Sequence, residues 1–102
     1  MTDRELLGLA AKAVGEPYFE HAPDGGLYLS NGEDWNPLTD DGDALRLAVK
    51  LSIDVNHGDS IVVAERVRPV EAGVAESKTD DPYAATRRAI VRAAAEIGRS
   101  KT

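Results

Sequence analysis

The chain contains no cysteine. That excludes a disulfide framework, a thiolate nucleophile and a cysteine-based zinc site, and it suits a cytoplasmic protein. No apolar run nears the ~18 residues that a bilayer-spanning helix needs. The opening Thr2-Asp3-Arg4-Glu5 is polar at once, so neither a signal peptide nor a membrane segment is expected. An excess of basic residues is missing too: the formal charge is −6. An acidic protein gains nothing from neutralising phosphates, which disfavours general nucleic-acid binding.

Catalytic and cofactor signatures are equally scarce. His21 and His57 are the only histidines, and they form neither an HExxH nor an H-x₃₋₅-H arrangement. Asp40-Asp41-Gly42-Asp43 superficially resembles a calcium loop, but the alternating ligand spacing and the terminal Glu are absent. His57, Asp59 and Ser60 are close in sequence, yet adjacency is not triad geometry. No G-x-S-x-G elbow exists. Asp24-Gly25-Gly26 lacks the Gly-Lys-Ser/Thr ending of a phosphate loop. The expectation is a non-enzymatic protein with no metal and no cofactor.

What is present reads as one small domain, residues 1–102, of ordinary globular composition: 42% apolar and 29% charged. Charge is uneven along it. Residues 1–81 carry 17 acids and 7 bases, whereas residues 82–102 carry five bases (Arg87, Arg88, Arg92, Arg99, Lys101) and only Glu96. Such a basic segment on an acidic body could solvate one helix face, or support self-association or docking to an acidic partner.

Three helices are legible. Thr2 with Glu5 is a capping-box pattern, and Leu6, Leu7, Ala10, Ala13 and Val14 follow at helical spacing before Gly15 and Pro17. The second helix is predicted from Asp41 to Leu51, its carboxylates Asp40, Asp41 and Asp43 placed to accept from free N–H groups at its start. Because only Arg46 and Lys50 interrupt its apolar circumference, it is expected to sit centrally, against the sheet and another helix. The third helix begins at Asp81-Pro82, with Tyr83, Thr86, Ile90, Ala93, Ala94 and Ile97 inward, Arg88 and Arg92 outward, and Gly98 at its end.

Two hairpins lie between the helices. Tyr18–His21 and Leu27–Asn31 flank an Asp-Gly-Gly turn, and Ile53–Val55 and Ile61–Ala64 bracket Asn56-His57-Gly58-Asp59. The last strand can run on to Arg68, where Pro69 removes a ladder donor. Residues 70–80 read as a loop that could hold a short strand at Val70–Val74. The resulting order is α-ββ-α-ββ-α, an α+β fold with a small antiparallel sheet sandwiched between helices. Leu9-Ala10-Ala11-Lys12 and Leu47-Ala48-Val49-Lys50 recur 38 residues apart, a faint sign of a duplicated unit.

The segment from Trp35-Asn36-Pro37-Leu38 through Asp43 into the second helix, the terminal Asp81–Ala94 segment and the Glu5–Gly15 helix together resemble small bacteriophage and prophage proteins of unknown function. They are similar to the phage α-β-α sandwich domain and, distantly, to NinX-like proteins of lambdoid phages. The resemblance implies helix layers on two sides of a sheet and expression in a bacterial host cytoplasm. It implies no catalytic residues.

Two functional expectations follow. The first is a phage accessory protein that binds an unknown host or phage protein, as a monomer or homodimer. Its candidate surface is Trp35, Asn36, Asp40, Asp41, Arg46 and Lys50, with the loop at 70–80. Trp35 could instead plug the sheet end, its indole N–H on a nearby acceptor. The alternative expectation is a small-molecule, nucleotide-type binder that uses Arg46 and Lys50 beside Trp35. Both cations could equally be paired with carboxylates.

Overall fold

The computed structural model describes residues 1–23, 25–30, 32–67, 72–78 and 80–101. Helix α1 spans Asp3–Val14. The Thr2 hydroxyl accepts from the Glu5 N–H, while the Glu5 carboxylate accepts from the Thr2 N–H. The Thr2 N–H and the Thr2 hydroxyl both donate to the Glu5 carboxylate and hold it below its ordinary range, the backbone bond contributing most. Gly15 ends the helix at φ 74°, a left-handed conformation that glycine adopts without a Cβ penalty.

A three-stranded antiparallel sheet follows, β1 (Tyr18–His21), β2 (Leu27–Leu29) and β3 (Asp34–Trp35), in that spatial order. Asp24 of the predicted turn and Asn31 lie outside the described residues. Helix α2 covers Asp41–Leu51, and the Asp40 side chain caps it by accepting from the Asp43 N–H. The second meander comprises β4 (Asp54–His57), β5 (Ile61–Arg66) and β6 (Ala72–Ser77). Helix α3 runs Pro82–Ser100 behind its Asp81 cap.

The fold is α+β with helices packed against sheets, ordered α-βββ-α-βββ-α. Each predicted hairpin therefore gains a third strand, and the strands divide into two sheets. Most of the expected loop at 70–80 is the full strand β6. Its burial alternates through Ala72 and Val74 inside and Gly73 and Ala75 outside, a two-residue period too weak in small side chains to stand out in sequence. Arg68, Pro69, Val70, Glu71 and Thr79 lie outside the described residues.

The central element is α3, not α2. One side of α3 lies on β5 and β6, and α1 and α2 pack elsewhere on it. Helix α2 buries only the stripe Ala44, Leu47, Ala48 and Leu51, leaving Leu45 64% and Val49 71% exposed. Apolar residues around a circumference do not guarantee burial. Close approach of neighbours decides it, and α3 offers closer approach through Ala85, Ala89, Ala93, Ala94 and Ala95.

Gly98 shows how tight that approach is. It does not end α3; it sits against α1, where a Cβ would stand 1.9 Å from the Leu9 carbonyl oxygen. At the other end of α3, Tyr83 is 69% exposed rather than inward. The recurring tetrapeptides occupy equivalent places, each starting at the seventh residue of its helix. Both of those helices close on a left-handed residue, Gly15 and Ser52. No helix among the described residues is long and apolar enough to cross a membrane.

Candidate functional site

The Trp35 loop is built from the end of β3 into the start of α2. Trp35 pairs with Leu27 of β2 and packs half-buried on the core with Leu38, while Pro37 between them is fully buried. Trp35 packs on the core as a plug at the sheet end would, but its indole N–H makes no hydrogen bond to another described residue.

The loop's polar groups turn inward on one another. The Asn36 N–H donates to Asp43 Oδ2 at 2.9 Å, and the Leu38 N–H donates to Asn36 Oδ1 at 3.1 Å. Arg87 of α3 clamps the same loop, donating to the Leu38 carbonyl at 2.9 Å and to Asp41 Oδ1 at 2.6 Å. The acidic cluster is thus a capping and clasping device.

Arg46 and Lys50 are both paired. Arg46 Nη2 lies 2.7 Å from Asp43 Oδ1 and 3.8 Å from Asp40 Oδ2, and Lys50 Nζ lies 3.6 Å from Glu16 Oε1. The Asp43 hydrogen bond, and behind it the surrounding negative charge, raises the Arg46 pKa. The fold does bring Trp35, Arg46 and Lys50 together around a cavity of about 320 Å³, but Glu16, Glu33, Asp34 and Asp43 line it as well. Four carboxylates against two cations repel a phosphate, so this geometry lends the nucleotide reading no support.

The basic segment at the end of the chain is also engaged internally. Arg88 meets Asp3 at 3.2 Å, Arg92 meets Glu76 and the Ala75 carbonyl, and Lys101 Nζ donates to the Ala13 carbonyl at 2.7 Å. Glu96 accepts from the Gly73 N–H on the outer edge of β6. These side chains tie α3 to α1 and cover a sheet edge, rather than solvating a free face or presenting one.

A different region has polar groups left over. Between α1 and β1 lies a broad groove of about 1040 Å³, lined by Arg4, Glu5, Gly8, Leu9, Lys12, Gly15, Glu16, Pro17, Tyr18 and His21. Arg4, Gly8 and Lys12 are spaced by four and share one helix face. Tyr18 lies over the middle one: a Cβ on Gly8 would be 3.5 Å from the tyrosine Oη. Among the described residues, Arg4 and Lys12 are the basic side chains that form neither a hydrogen bond nor an ion pair.

The opposite wall depends on a bulge. Tyr18 pairs with Leu29 and Glu20 with Tyr28, so β1 advances two residues while β2 advances one. A regular strand would put residues 18 and 21 on opposite faces; the extra residue returns them to the same side. The Tyr18 and His21 rings are consequently 5.9 Å apart, tilted by 49°. His21 Nδ1 is buried with no hydrogen-bond partner among the described residues, and an orphaned buried group of that kind costs about 1–3 kcal/mol. The Arg4/Gly8/Lys12 spacing is visible in sequence, but the bulge is not, and without it the aromatic wall does not exist.

His57, Asp59 and Ser60 sit exposed at the β4–β5 turn and make no bonds with each other. No group of three metal-ligating side chains converges among the described residues. No protein-family model, curated protein or solved structure matches this chain.

Proposed function

We propose that this chain is a non-enzymatic binding module that engages a protein partner through the groove between α1 and β1. The observation that carries the reading is the contrast in polar satisfaction. Among the described residues Arg4 and Lys12 flank the groove with no partner, whereas the charged groups of the Trp35 loop are paired within the fold. Groups already paired must break bonds before they can bind anything else, and free ones need not. The setting, a phage or prophage protein in a bacterial cytoplasm, rests on the sequence resemblance alone.

The test is partner capture from bacterial lysate, read by mass spectrometry, with the wild type beside two variants. Arg4→Glu with Lys12→Glu is expected to lose the specifically captured proteins, and Trp35→Ala is expected to keep them. The reverse pattern would return the contact surface to the Trp35 loop. Capture that neither variant changes would end the binding-module reading at both places.

A further inference from the structure

Resting on that reading of the groove, we infer that its occupant is an acidic, extended peptide segment of the partner, with two carboxylates three or four residues apart. Arg4 and Lys12 set the spacing. Eight residues of α-helix rise about 12 Å, and an extended chain covers that in three to four residues at about 3.3 Å each.

The floor between the cations suits a passing backbone. Gly8 contributes no side chain there, and Leu9 and Pro17 supply apolar surface beside the Tyr18 ring. The groove is open along its length rather than enclosed, which fits a segment crossing it better than a small molecule held within it.

Local charge points the same way. The two carboxylates in the groove have partners elsewhere, Glu5 in Thr2 and Glu16 in Lys50, whereas Arg4 and Lys12 have none among the described residues. Nucleic acid also carries regularly spaced anions, but the −6 charge of the protein repels a long polyanion. A short acidic segment meets only the local field, because charges beyond about 10 Å are screened at ordinary ionic strength.

The experiment is selection of random 12-residue displayed peptides on the whole protein, followed by fluorescence anisotropy with the selected sequences. The expected consensus carries two acidic residues three or four apart. Its affinity should fall at least tenfold on Arg4→Glu with Lys12→Glu, and severalfold when salt is raised from 50 to 300 mM. Gly8→Leu, which fills the floor without changing charge, should also weaken binding, with thermal melts confirming that each variant folds. A neutral or basic consensus, an acidic one insensitive to charge reversal, or no enrichment would overturn the inference. A neutral consensus still blocked by Gly8→Leu would overturn the acidic occupant alone and leave the groove standing. No groove-dependent binding of any peptide, with lysate capture unchanged by charge reversal, would remove both. Preferential binding of a mononucleotide at the groove would replace the peptide with a small ligand.

Discussion

The Trp35–Asp43 loop and the Arg4–His21 groove are made of similar parts in opposite states. Each has an aromatic ring and basic and acidic side chains. In the loop, Asp40, Asp41 and Asp43 lie where α2 presents unpaired N–H groups and where Arg46 and Arg87 reach them. The charges cancel and the junction is held. Arg4 and Lys12 are exposed on α1 and, among the described residues, carry no such partners. Composition alone gives the loop the look of a site; the pattern of satisfied and unsatisfied groups favours the groove.

Three variants sharpen the contrast. The largest effect belongs to the helix contact behind the groove: Gly98→Ala should cost about 3 kcal/mol, because the added methyl meets the α1 backbone and cannot rotate away. Ordinary helix propensity predicts the opposite sign, a gain of about 1 kcal/mol. Thermal or denaturant melts decide between them, and a more stable Gly98→Ala protein would show that α1 and α3 are not in such close contact.

Asp43→Ala breaks the loop by orphaning the part-buried Asn36 N–H and releasing Arg46. A loss of about 2 kcal/mol is expected, the range of a charge-assisted hydrogen bond in a sheltered place. Loss near zero in urea melts would mean that the loop's polar network is decorative, and the distinction between the two regions would collapse.

Arg4→Ala with Lys12→Ala should change stability by no more than about 0.5 kcal/mol, as exposed side chains without partners generally do. A substantial loss in the same melts would show that these cations serve the fold, and the groove would lose its claim to be a free surface.

The readings that depended on near neighbours agree with the structure. Thr2 and Glu5, Asp40 and Asp81 cap the predicted helices, and α2 has the expected bounds. Readings that depended on distant chain segments did not. Leu45 and Val49 looked buried because their helix is apolar all round, but nothing packs over that flank. Arg88 and Arg92 do face outward, their side chains 41% and 40% exposed, but their pairing with Asp3 and Glu76 from far along the chain was not legible. Gly98 looked like a terminator, when its use is to admit another helix.

The candidate site divides along the same line. A stripe of Arg4, Gly8 and Lys12 follows from helical period, and a close reading of the residues yields it. Tyr18 beside His21 does not, since the alternation of a regular strand separates them and only pairing with β2 creates the bulge.

By itself, then, the sequence determined the helices, their caps and the acidic surface charge. A backbone group at a helix end is satisfied within a few residues, whatever the rest of the chain does. Tertiary structure alone decided which helix is central, which cations are consumed by pairing and which two aromatics share a wall. Those outcomes depend on which surfaces meet, and residues far apart in the chain settle that together.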